Sequence, residues 1–79
     1  MNFYVIKGNG EKVQFDPEKL KQALASSGAT YAEQEKIIRE VESKLYDGIP
    51  TRKIYLMAFD LLKKESYKTA GRYRLKNAI

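Results

Sequence analysis

The sequence predicts an α+β domain: an N-terminal β-hairpin, then four helices, with residues between the second and third helix placed to add a brief third strand. Three observations carry that prediction. Phe3-Tyr4-Val5-Ile6 is a short run rich in aromatic and β-branched residues, a composition that favours strand over helix. Asn9-Gly10 is a strong hairpin signal. From Asp16 onward, apolar residues recur at helical spacing between recognisable caps and stops.

With Asn9 and Gly10 as a two-residue type I′ loop, Lys7 faces Lys12, Ile6 faces Val13, Val5 faces Gln14 and Tyr4 faces Phe15. Strand alternation then puts Tyr4, Ile6, Val13 and Phe15 on a core face, and Val5, Lys7, Lys12 and Gln14 on the other. Two ammonium groups directly opposite each other cost stability. The ordinary explanation is that both splay into water, whereas an anion between them would reverse the sign. Asp16-Pro17-Glu18 starts a helix where the second strand ends, with an N-cap residue followed by Pro at the first helical position. Lys19 in that first turn runs against the helix dipole. Lys7, Lys12 and Lys19 beside a helix start therefore point to a polyphosphate site.

The first helix is expected from Pro17 to Ser26, with Leu20, Ala23 and Leu24 inward. Thr30-Tyr31-Ala32-Glu33 fits a capping box and opens a second helix with the stripe Ile37, Ile38, Val41 and Leu45, ended by Asp47-Gly48. Its charged residues read as solvated surface. Ile49-Pro50-Thr51 is an extended link in which Thr51 can cap the third helix. That helix turns Ile54, Met57, Ala58, Leu61 and Leu62 to one face. Ser66 to Ile79 is expected to form the last, with Tyr67, Ala70, Gly71, Leu75, Ala78 and Ile79 inward. Its Lys68, Arg72 and Lys76 share a face at four-residue spacing, and such a rail taken alone reads as solvated charge. No stop signal follows Lys76-Asn77-Ala78-Ile79, so residues 1–79 read as one domain cut from a longer chain.

At 79 residues the chain can build one modest core. Hydrophobic residues at 43% and charged residues at 32% mark it as a folding chain and not a disordered one. No apolar run approaches the roughly 20 residues that span a bilayer, and no signal peptide layout is present, so a cytoplasmic location is expected. Absent cysteine and histidine remove thiolate chemistry, the commonest general base and the commonest metal ligands, so neither catalysis nor a protein-held metal is expected. The net charge of +5 implies an anionic partner or merely a soluble surface.

Three blocks occur in order: Val5-Ile6-Lys7-Gly8-Asn9-Gly10 with Phe15-Asp16-Pro17-Glu18-Lys19-Leu20, then Tyr46-Asp47-Gly48-Ile49-Pro50-Thr51, then Ala70-Gly71-Arg72-Tyr73-Arg74-Leu75-Lys76. Together they resemble the ATP-cone domain, the regulatory nucleotide-binding module of many ribonucleotide reductase large subunits and of the repressor that controls their genes. The resemblance covers nearly the whole chain. It implies a small four-helix bundle covered by a three-stranded sheet, and ATP or dATP held under the hairpin, with any Mg²⁺ carried by the phosphates. It also implies nucleotide contacts from Val5, Lys7, Asp16, Lys19, Thr51 and Tyr55, and phosphate contacts from Arg72 and Lys76. Gly8 stands where family members commonly carry arginine, a loss for which Lys12 could compensate across the turn. Val13 stands where some members have an acidic residue.

The function expected from this is an allosteric sensor that catalyses nothing and acts on a C-terminal effector domain, as monomer or homo-oligomer. No Walker A pattern is present. Two rivals are a small basic nucleic-acid-binding module, and a degenerate cone kept for docking or oligomerisation. Spread-out charge and the lack of a helix rich in Arg, Asn and Gln weigh against the first. Gly8 keeps the second open.

Overall fold

The structure of the chain, a computed structural model, describes residues 3–72. Its elements run β1 (Tyr4–Ile6), β2 (Lys12–Gln14), α1 (Pro17–Ser26), α2 (Tyr31–Glu42), β3 (Ile49–Pro50), α3 (Thr51–Glu65) and α4 (Tyr67–Arg72). β1 is the central strand, antiparallel to β2 and parallel to β3. The third strand anticipated at Ile49 is therefore formed, and the α+β class with an N-terminal hairpin holds.

The hairpin register differs from the expected one. Tyr4 pairs with Gln14, Val5 with Val13 and Ile6 with Lys12. The Gly10 N–H donates to the Lys7 carbonyl (2.8 Å) and the Lys7 N–H to the Glu11 carbonyl (2.9 Å), so the loop is Gly8-Asn9-Gly10 and not Asn9-Gly10 alone. Among the loop residues only Gly10 has positive φ, at +87°, which matches a three-residue loop closed by a glycine bulge. Asn9 acts through its side chain instead, its Oδ1 accepting the Glu11 N–H at 3.0 Å.

One residue of slip turns β2 over relative to β1. Val5 and Val13 now share the inward face, and Val5 is 3% exposed. Tyr4, expected in the core, is 39% exposed. It lies on the outer face with Lys12, whose ammonium sits 5.2 Å from the Tyr4 ring centre. Lys7 and Lys12 are thus not paired and belong to opposite faces, and the like-charge opposition inferred from the shorter loop does not exist.

α1 begins and ends as anticipated, with Pro17 at its first position and Asp16 Oδ1 accepting the Glu18 N–H at 3.0 Å. α2 carries the full capping box: Thr30 Oγ1 accepts from the Glu33 N–H (3.2 Å) and Glu33 Oε1 from the Thr30 N–H (2.8 Å). It stops at Glu42, well before Asp47-Gly48. Past that point the Lys44 N–H turns to the Val41 carbonyl (2.9 Å) and the Leu45 N–H to the Glu42 carbonyl (3.4 Å), three residues back. This tightening ends the helix without a glycine. Gly48, at φ +89°, serves the turn into β3 instead. α3 starts directly after Pro50 with no side-chain cap, so Thr51 is its first residue and not its cap. Ser66 caps α4, its Oγ accepting the Thr69 N–H at 3.2 Å. The expected helix beyond Arg72 lies outside the described residues.

The core joins Leu20 and Leu24 of α1, Ile37 and Val41 of α2, Ile54, Ala58 and Leu62 of α3, and Ala70 of α4 to Val5 and Ile49 of the sheet. α3 packs against α2, α4 and β3 and is the central helix. Gln34 is a buried polar residue the helical stripe did not reveal, and its amide donates to the Ala29 carbonyl at 2.9 Å. Two ion pairs link the helices on their outer side, Lys21–Glu35 at 2.9 Å and Lys36–Glu65 at 2.6 Å. Among the described residues no helix is long and apolar enough to cross a membrane.

Candidate functional site

The inward face of the hairpin, the start of α1 and the first turns of α3 enclose a cleft of about 260 Å³. Each wall follows from a local feature of the sequence. β1 contributes Val5 and, two residues on along the same face, Lys7. β2 and its exit contribute Val13, Gln14 and Phe15. Asp16 is held in place by its capping bond, and Lys19 and Leu20 follow one turn into α1. Thr51 and Tyr55 stand four apart on α3 and so face the same way, with Ile54 beside them.

The cleft is two-natured. Val5, Val13, Phe15, Leu20 and Ile54 give it an apolar floor, while Lys7 and Lys19 bring positive charge. The uncapped N-terminus of α3 adds the positive end of a helix dipole at Thr51. Thr51 and Tyr55 are 9% and 7% exposed, and neither hydroxyl has a hydrogen-bond partner among the described residues. Buried polar groups are nearly always satisfied. Two without a partner among the described residues, one turn apart on a cleft wall, are groups available to a ligand. Burial pushes the Tyr55 phenol above its ordinary pKa, and the Asp16 carboxylate pushes it further the same way. Tyr55 therefore stays a neutral donor well past neutral pH. One Asp16 oxygen is committed to the Glu18 amide, and its carboxylate offers further acceptor capacity.

Such a cleft suits a molecule that is anionic at one end and flat or apolar with polar edges at the other. Its volume sits just below the roughly 300–1,000 Å³ of typical ligand sites, enough for the smaller part of a nucleotide with the remainder in solvent. No group of three or more acidic side chains that could hold a metal ion occurs among the described residues.

Of the residues singled out from sequence, Val5, Lys7, Asp16, Lys19, Thr51 and Tyr55 come together here. Val5 arrives by a different route from the one expected, because the face it shares with Lys7 is the inward one. Lys12 is not brought to the cleft. It lines a shallow groove on the outer sheet face with Phe3, Tyr4 and Asp47, so it cannot stand in for a cation at Gly8. The Arg72 side chain and Lys76 lie outside the described residues. The apolar floor was missed as part of the site: Val13 and Phe15 had been assigned wholly to the core, and only the correct register turns them toward Lys7.

Comparison with known proteins gives one finding. A family model described as ATP cone domain matches residues 3–77. Neither a curated protein nor a solved structure matches the chain.

Proposed function

Because the chain belongs to the ATP cone domain family of nucleotide-binding regulatory modules, we propose that it binds ATP or dATP in this cleft and reports occupancy to an attached effector domain, with no reaction of its own. The observation that carries this reading is the cleft's pairing of Lys7 and Lys19 with two buried hydroxyls, those of Thr51 and Tyr55, that have no partner among the described residues, over an apolar floor. In this arrangement the phosphates lie toward the lysines, with any Mg²⁺ carried by the phosphates themselves, and the base and sugar lie against Val5, Val13 and Phe15. Sensing requires that the nucleotide bind one arrangement of the domain and its neighbour more tightly than another.

Thermal melting with ATP, dATP, GTP and a short DNA duplex tests the binding step. A ligand at 100 times its dissociation constant adds about 2.7 kcal/mol, several degrees for a domain of this size. Stabilisation by adenine nucleotides above that by GTP or DNA is the expected result. The absence of a shift with ATP and dATP at millimolar concentration would sink the reading, a shift with DNA alone that fades with salt then pointing to nucleic-acid binding and no shift with any of the four leaving docking.

Gly8 gives a second test. It is exposed, its φ is not positive, and a side chain added there meets nothing within 4 Å. Gly8→Arg is therefore expected to fold normally and to supply a cation at the first position of the hairpin loop, next to Lys7. A surface charge pair is worth about 0.2–1 kcal/mol, so the gain in ATP affinity should be up to about fivefold. It should fade in high salt, as measured by calorimetric titration at two ionic strengths.

A further inference from the structure

One conspicuous motif of the sequence, Asp47-Gly48, contributes nothing to the lining of the cleft. As a helix stop it is also redundant, since α2 ends at Glu42. Its hydrogen bonds to β1 both go to one residue, Tyr4. Asp47 Oδ1 accepts the Tyr4 N–H at 3.1 Å, across 43 residues of sequence. The Gly48 N–H donates to the Tyr4 carbonyl, also at 3.1 Å. A Cβ built on Gly48 would lie 3.7 Å from the Tyr4 hydroxyl, so the ring of that same residue rests on this segment.

Tyr4 is thus held at its N–H, its carbonyl and its ring by two consecutive residues. On one side of the clamp the chain continues into Val5 and Lys7, which form one cleft wall. On the other it passes through the two-residue ladder of Ile49 and Pro50 directly into Thr51, which begins the opposite wall. A parallel ladder of two residues is a short support for a strand. Without the clamp, little fixes how far β1 advances along β3, and therefore the distance between Lys7 and the Thr51–Tyr55 pair.

We propose that Asp47 and Gly48 are positioning residues for the nucleotide cleft, acting through Tyr4 to align Lys7 and Val5 with Thr51 and Tyr55. The inference rests on the nucleotide-binding reading given above. The bond from Asp47 is exposed, so its removal costs little global stability, whereas a cleft lysine moved out of hydrogen-bonding reach of an anionic ligand loses a contact worth about tenfold or more in affinity.

The test compares ATP affinity by calorimetric titration with melting temperature in four proteins. Asp47→Ala is expected to weaken ATP about tenfold, by way of that lost contact. Asp47→Asn keeps an acceptor oxygen at the same place and is expected to bind nearly as the unmodified chain does. Thr30→Ala breaks the capping box on α2 and is expected to lower the melting temperature by several degrees but to leave affinity unchanged, which separates positioning from general loss of stability. Should Asp47→Ala fail to fold, Asp47→Glu moves the acceptor by one methylene and must weaken ATP. Equal affinity in Asp47→Ala (or in Asp47→Glu) and the unmodified chain overturns the inference, as does an Asp47→Asn protein no better than Asp47→Ala. If the unmodified chain fails to bind ATP, the nucleotide reading itself falls and takes this inference with it.

Discussion

Reversing both cleft cations, Lys7→Glu with Lys19→Glu, is expected to lower ATP affinity by at least about a hundredfold while leaving the fold intact. Each lysine lines the cleft from a different element, β1 and α1, so the double change replaces attraction on two sides of a bound anion by repulsion. A hydrogen bond to a charged group contributes about 1.5–3 kcal/mol. Two lost together amount to roughly 3–6 kcal/mol before repulsion is counted, and every 1.4 kcal/mol is tenfold. Lys19 is exposed, Lys7 is only half-buried, and neither takes part in an ion pair among the described residues. Surface substitutions of that kind usually stay within about 0.5 kcal/mol of the original stability. Circular dichroism melting should therefore show a fold close to the original, and titration with ATP should show no saturable heat at concentrations that saturate the unmodified chain. Retained affinity in the double variant would move the phosphates elsewhere in the molecule.

Leu62→Ala is expected to have the largest effect on stability. Leu62 is fully buried on α3, the helix that packs against α2, α4 and β3. Removing a buried leucine side chain costs about 2–5 kcal/mol, the transfer free energy plus the cavity left behind. A domain of this length has only about 4–12 kcal/mol to lose, at 0.05–0.15 kcal/mol per residue. Each 1 kcal/mol moves the midpoint by roughly 4–8 °C in this size range, so a fall of about 8–40 °C is expected by calorimetry. Adding ATP should recover part of it if the cleft binds, because ligand binding adds to whatever stability remains. A fall of only a few degrees would mean that α3 is not the central packing element.

Local chemistry made much of this fold readable in advance. Asp16-Pro17 and Thr30 with Glu33 are caps whose donors and acceptors lie within four residues of each other. Their geometry needs no information from the rest of the chain, and α1 and α2 begin where those residues require. The apolar stripes of α1, α2 and α3 are likewise a matter of spacing along one element. Local sequence by itself marks Lys7 and Lys19 as cations to bring together, whereas Asp16, Thr51 and Tyr55 enter the site only through the family resemblance.

Two features were decided only by tertiary packing, and both concern register. Asn9-Gly10 permits a two-residue loop, and Gly8-Asn9-Gly10 permits a three-residue loop with a bulge. The choice fell to Val5 and Val13, which the core accepts as an inward pair while Tyr4 and Lys12 stack outside. Alternation then carried Lys12 away from the cleft and Val13 and Phe15 into it. The partner of Asp47-Gly48 is hidden for a related reason, since the groups that satisfy it belong to Tyr4 of β1, more than forty residues away. A chain of this kind states its helices residue by residue, because their hydrogen bonds close within a turn. It leaves the pairing of its strands, and with it the make-up of its cleft, to contacts that exist only once the helices have packed.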